Sequence, residues 1–127
     1  MKIIVSNVSD IPIYQQIEEQ IKDAILRGEL EEGELLPSIR ILANDLHVSV
    51  LTTRRVYDEL ESEGFVVSKV GKGTFVAPQN PELLRESKRC MVEEKLKEAW
   101  EIANSFGISK ADLYLMMDLI IGEEEDE

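Results

Sequence analysis

The chain has 127 residues, 43% hydrophobic and 31% charged. That is the composition of a globular protein of one domain, or one small domain with an appendage, and it excludes a disordered chain. Fourteen Lys and Arg against 26 Asp and Glu leave a formal net charge of −12, which taken whole argues against nucleic acid, because phosphates repel an acidic surface. The longest apolar run falls far short of the ~20 residues of a membrane helix, and Met1 to Val5 turn polar at Ser6-Asn7 too soon for a secretion signal. One cysteine and one histidine supply neither an internal disulfide nor a soft-ligand zinc cluster, leaving only carboxylates as metal donors. A cytoplasmic protein without a cofactor is expected.

In chain order, Lys2 to Val5 reads as a short apolar strand. After Pro12, Ile13, Ile17, Ile21 and Ile25 recur every four residues, predicting an amphipathic helix that Gly28 stops. Gly33 and Pro37 mark a loop carrying Glu29, Glu31, Glu32 and Glu34. Two short helices follow. Ser38 is placed to cap the first, whose buried stripe is Leu42, Ala43 and Leu46; Ser49 caps the second, with Val56 and Leu60 inward and Gly64 as its stop. His47 falls in the turn between them, so the pair is a helix-turn-helix candidate.

Phe65 to Val70 and Thr74 to Val76, joined by Gly71-Lys72-Gly73, read as a β-hairpin. Pro78 and Pro81 flank a linker, and Asn80 caps a long helix from about Glu82 to Phe106. Gly107 stops that helix, and Ser109 with Asp112 opens a last one running to Ile121. The fold class is mainly α with a small β-hairpin, divided into residues 1–79 and 80–127. Glu123 to Glu127 read as a solvated acidic tail.

Partitioning the charge changes its meaning. Residues 1–79 carry a net −5 and residues 80–127 a net −7, yet Pro37 to Tyr57 hold Arg40, Arg54 and Arg55 against Asp45 alone. The hairpin, Gly64 to Ala77, holds Lys69 and Lys72 and no acid. Positive charge therefore sits on the two elements a DNA reader would use. With Val56 at the centre of the buried face and ~100° per residue, Arg54 projects almost opposite it and Arg55 lies on a flank. Val50, Leu51 and Asp58 share the exposed side. Such a helix can enter the major groove, where arginine pairs with guanine or grips phosphate, and apolar Val50 or Leu51 could touch a thymine methyl.

The runs Pro12-Ile13-Tyr14-Gln15-Gln16-Ile17, Gly28-Glu29-Leu30 and Leu36-Pro37-Ser38-Ile39-Arg40-Ile41-Leu42-Ala43 resemble the GntR family of bacterial transcription regulators. So do Val48-Ser49, Thr52-Thr53-Arg54-Arg55-Val56-Tyr57, Leu60-Glu61-Ser62-Glu63-Gly64 and Gly71-Lys72-Gly73-Thr74-Phe75-Val76. The pieces keep the family's order and spacing over roughly residues 10–77. Gly71-Lys72-Gly73-Thr74 is no phosphate loop, since Gly rather than Ser or Thr follows the lysine. The resemblance implies a winged helix-turn-helix that binds double-stranded operator DNA as a homodimer, most simply as a repressor on an inverted repeat.

By the same resemblance Arg40 contacts phosphate or the groove edge, Ser49, Thr52 and Arg54 belong to the recognition helix, and Gly71 to Thr74 form the wing tip. Together with the charge reading, the expected DNA-binding set is Ser38, Arg40, Ser49, Val50, Thr52, Thr53, Arg54, Arg55, Lys69, Gly71, Lys72, Gly73 and Thr74. Val50 departs from the family, many of whose members carry Arg or another polar residue there, and His47 stands where Gly is common. Five contacts per subunit (Arg40, Arg54, Arg55, Lys69, Lys72) would give a dimer a log–log salt slope of up to about −9.

Only 48 residues follow position 79, where most family members carry a larger effector domain; that length resembles the YtrA-like subfamily, whose short helical tail dimerises. Leu96, Ala99, Trp100, Ala103 and Phe106 line one helix and Leu113, Met116, Met117, Ile120 and Ile121 the other, too much apolar surface for two helices to enclose alone. A ligand pocket is the alternative use of that stripe, and a small-molecule effector would then lie between subunits or between tail and DNA-binding domain. Cys90 is either a packed or exposed helix residue or a redox contact across subunits. The competing function is a winged-helix protein-interaction module without DNA binding, which the net charge favours. No Ser-His-Asp or Cys-His arrangement suggests an enzyme.

Overall fold

Isoleucines four apart share one helix face, and the computed structural model, which describes residues 1–125, forms a helix there. This helix, α1, spans Ile13–Leu26. Ile17, Ile21 and Ile25 are buried, and Ile13 at the open end is half-buried. Helices α2 (Ile39–Leu46) and α3 (Val50–Ser62) follow. Ser38 Oγ accepts from the Ile41 N–H at 3.2 Å and Ser49 Oγ from the Thr52 N–H at 3.0 Å, so both expected caps form. His47 ends α2 in the left-handed region with φ +57°, a conformation that Gly would adopt without strain. The Tyr57 hydroxyl donates to the Pro37 carbonyl at 2.6 Å, tying α3 to the residue ahead of the α2 cap. Burial pushes the Tyr57 phenol pKa well above its ordinary value.

Strands β1 (Val66–Lys69) and β2 (Gly73–Val76) pair antiparallel, with Val66 opposite Val76 and Lys69 opposite Gly73. Gly73 has φ +115°, and a Cβ there would stand 3.0 Å from Leu35 Cδ1, so both backbone and space call for glycine. The expected acidic loop does more than connect. Leu36 N–H donates to Thr74 O, Val76 N–H to Glu34 O and Gly33 N–H to Val76 O, and Leu35 bridges Phe75. The loop thus covers the outer edge of β2, which would otherwise be open for pairing with another chain.

The strand expected at Lys2 to Val5 does not form. Instead the Gln20 amide holds Ile4, accepting from its N–H at 2.9 Å and donating to its C=O at 2.7 Å, and Gln16 does the same for Ser6 at 2.8 and 2.9 Å. Two glutamines one turn apart on α1 stand in for the neighbouring strand. Ile3 and Val5, partly buried, still pack on the core, so the apolar signal was real but its backbone partner is a pair of side chains. The core itself joins Ile17, Ile21, Leu30, Leu36, Leu42, Val56, Tyr57, Leu60, Val66 and Val76 from every element of this region.

Helix α4 spans Pro81–Ser105 and α5 spans Lys110–Glu125. The chain divides into two compact units, Met1–Leu84 and from Arg85 onward, so the division falls inside α4. Asn80 Oδ1 accepts from the Glu82 N–H, and Ser109 Oγ from the Asp112 N–H. Helix α5 runs past Ile121 through Glu125, because glutamates are good helix formers. Asp126 and Glu127 of the expected acidic tail lie outside the described residues. No helix among the described residues is long and apolar enough to cross a membrane.

Candidate nucleic-acid interface

The turn His47-Val48-Ser49 sets α2 and α3 against each other, and their N-terminal turns carry the expected readers. Arg40 in the first turn of α2 and Arg54 in the second turn of α3 are exposed, and neither has an ion-pair partner among the described residues. Lys72 at the tip of the hairpin is likewise exposed and unpaired, flanked by exposed Gly71 and Gly73; Thr74 is half-buried, and its carbonyl accepts from the Leu36 N–H. What marks these three is their place, on the helix-turn-helix and at the tip of the hairpin. They carry a positive field without internal compensation.

Other expected readers have work inside the fold. Thr53 is the clear correction. It is 0% exposed and its hydroxyl donates to the Ser49 carbonyl at 3.2 Å, because it lies on the Val56 side of α3 and satisfies itself one turn back. It therefore cannot touch DNA. Arg55 stacks on Tyr14 of α1, its guanidinium carbon 3.6 Å from the ring centroid, while its Nε donates to Glu59 at 3.2 Å. It clamps α3 to α1. Lys69 sits 5.0 Å from the Phe75 ring centroid across the hairpin. Of these contacts only the stacking of Arg55 on Tyr14 joins residues far apart in sequence, and no local signal announces it.

Ser38, Ser49 and Thr52 remain at the surface side of the caps. Ser49 and Thr52 hydroxyls lie 2.7 Å apart, in addition to the backbone cap. Ser49→Ala should destabilise the protein by about 1 kcal/mol, the usual worth of a lost N-cap. Ser49→Asp should retain the cap, and with it the melting temperature, while placing a negative charge at the end of α3 expected to face DNA. Thermal melts and operator titrations of both variants check this: equal binding by Ser49→Asp and wild type would remove Ser49 from the interface.

A charged cluster joins α1 to the C-terminal end of α3. Glu18 on α1 is buried; it pairs with Lys22 at 3.1 Å, and Lys22 reaches Glu63 at the end of α3 at 2.5 Å. Desolvation, with a proton shared toward Glu59, raises the Glu18 pKa above its ordinary value. Glu59 is held low by that hydrogen bond and by Arg55. Burial works against the Lys22 charge, but hydrogen bonds to Glu63 and Glu18 outweigh it and raise its pKa.

A carboxyl whose folded pKa is raised binds its proton more tightly in the native state, so its contribution to stability is present at low pH and is lost as pH rises from about 4.5 through the folded value. Glu18→Gln keeps a neutral hydrogen-bonding group, and should gain stability relative to wild type across that window. Melting temperatures of the two proteins measured from pH 4 to 8 should converge at the acid end; parallel curves would contradict the raised pKa.

In the second unit Ala103 is buried, while Leu113 and Met117 are half-buried. Leu96, Ala99, Trp100, Phe106, Met116, Ile120 and Ile121 are exposed, joined by Tyr114, Leu115 and Leu119. An open apolar crevice of about 310 Å³ is lined by Leu96, Ala99, Leu113, Tyr114 and Met117. Cys90 is exposed on α4. Desolvation and the carboxylates of Glu86 and Glu93 raise its thiol pKa, which keeps it in the less reactive protonated form.

Comparison with known proteins agrees with this geometry. Residues 13–76 match the family of bacterial regulatory proteins called gntR. The chain is 35% identical over 106 residues to the HTH-type transcriptional repressor YtrA of Bacillus subtilis (strain 168), a match spanning 84% of this chain and 82% of that protein. Its structure is similar to that of a transcriptional antiterminator from Listeria monocytogenes EGD-e, with TM-score 0.72 and 32% identity over 94% of this chain and 90% of the other. It is also similar to the DNA-binding domain of AraR in complex with operator ORX1, with TM-score 0.54 and 29% identity over 61% and 96% of the two chains. The chain belongs to the gntR family. It is a DNA-binding transcriptional regulator, and its relatives are regulators rather than enzymes.

Proposed function

We propose that this regulator is a repressor that acts in the cytoplasm as a homodimer on an inverted-repeat operator. The observation that carries the reading is the set of exposed, unpaired cations, Arg40 and Arg54 on the helix-turn-helix and Lys72 on the wing, within an acidic chain. In each half-site Arg54 enters the major groove from the first turns of α3. Arg40, Ser38, Ser49 and Thr52 line the groove edge, and the wing tip Gly71 to Thr74 follows the neighbouring phosphates. The two subunits join through the apolar faces of α4 and α5, residues 80–127 serving dimerisation and 1–79 DNA binding. That surface is too large for a monomer to leave open, and a two-fold dimer matches a palindromic site. A small-molecule effector, where one acts, would lodge at this subunit interface.

The test is titration of the purified protein against the promoter duplex of its own operon and a scrambled duplex of equal length. Preference for the promoter by at least about a hundredfold supports the reading; equal affinity contradicts it and favours a protein-interaction role.

A further inference from the structure

The first turn of α3 contains an apolar side chain with no partner. Leu51 is 77% exposed and Val50 is 43% exposed, whereas the other leucines of α2 and α3, namely Leu42, Leu46 and Leu60, are buried or half-buried. The polar residues of the same turn are engaged: Ser49 and Thr52 bond to each other and to the cap, and Thr53 turns inward. What the turn offers outward is therefore Leu51, followed three residues later by unpaired Arg54. Three helical residues turn ~300° and rise ~4.5 Å, so the two side chains share one face at a separation of one to two base-pair steps.

We propose that Leu51 reads the 5-methyl group of a thymine lying within two base pairs of the guanine read by Arg54. This rests on the operator-binding reading above and adds to it the chemistry of one base. In the major groove thymine is the one unmodified base that presents a methyl group; apart from the small C5–H of cytosine, the other groups there are hydrogen-bond donors or acceptors, which a leucine would only desolvate. The unpaired Arg54 on the same face of α3 as Leu51 fits phosphate-bearing DNA and disfavours an apolar protein partner at this end of the helix. Leu51 rather than Val50 is the reader because it is the longer and more exposed of the two.

The experiment begins with a duplex enriched by the wild-type protein from a randomised pool. Each thymine of its half-sites is then replaced by deoxyuridine, which deletes the methyl and nothing else. One symmetric pair of positions, within two base pairs of a guanine, should weaken binding about fourfold per half-site, the worth of one buried methyl. Leu51→Ala should bind the thymine and uridine duplexes equally, and Leu51→Met should retain a preference for thymine. Uridine duplexes that all bind like the parent would overturn the proposal, as would a methyl preference that survives in Leu51→Ala or vanishes only in Val50→Ala. A pool that yields no enriched duplex overturns the operator reading itself, and this inference with it.

Discussion

Arg54→Ala is expected to abolish discrimination between operator and random DNA while leaving the fold intact. Arg54 is exposed, points away from the buried Val56 face and has no ion-pair partner among the described residues, so its removal leaves no internal charge or cavity behind. A bidentate contact to guanine is worth about 1–3 kcal/mol, and a dimer makes it twice, so operator affinity should fall by about 2–6 kcal/mol, or at least thirtyfold. Arg54→Lys should recover the non-specific part of the binding and little of the sequence preference, since the ammonium lacks the planar fork. Fluorescence anisotropy on specific and scrambled duplexes, beside a thermal melt, separates these outcomes. A loss of affinity shared equally by both duplexes would place Arg54 on phosphate.

Trp100→Asp should have an effect of similar size by a different route. Trp100 is large, 40% exposed, and lies on the same apolar stripe of α4 as Leu96. In the proposed dimer a carboxylate placed there would meet the partner's apolar face without compensation. The variant should sediment as a monomer at concentrations where wild type is a dimer. Affinity for the full operator should drop by about a hundredfold or more, because linking two half-site contacts raises avidity by roughly 10²–10⁴, while affinity for a single half-site stays unchanged. Ile120→Asp, on the other helix, should behave alike. A dimer that persists in both variants would move the subunit interface elsewhere.

Much of this architecture is legible in the sequence because it is locally encoded. The four-residue isoleucine period gives α1 and the serines before short apolar runs give the caps of α2 and α3. The Gly-Lys-Gly tripeptide gives the turn of the wing. What sequence does not show is pairing at a distance. The strand expected at Lys2 to Val5 has its backbone bonds from Gln16 and Gln20, whose position on α1 looks like an ordinary polar face. Glu34 to Leu36 read as an acidic loop, and only the proximity of β2 makes them an edge. At the site, Arg40, Arg54 and Lys72 are placed as their charge suggests. Helix phase puts Arg55 on a flank of α3, and only the position of Tyr14 reveals that its guanidinium stacks on α1. Thr53 illustrates the same limit. It stands between half-buried Thr52 and exposed Arg54, and helix phase alone decides which of them meets solvent.

These placements change a number. Five cations per subunit would give a salt slope of up to about −9; with Arg55 and Lys69 held by internal contacts, Arg40, Arg54 and Lys72 remain, at most six cations per dimer. If Arg54 spends its charge on a base, four remain for phosphate. The most direct measurement of the central claim is the dependence of operator affinity on salt, followed from 50 to 300 mM. The expected log–log slope is about −4 to −5 for the selected operator. A slope near zero would contradict recognition of DNA by this surface, and a slope near −9 would contradict the assignment of Arg55 and Lys69 to contacts within the protein rather than to phosphate.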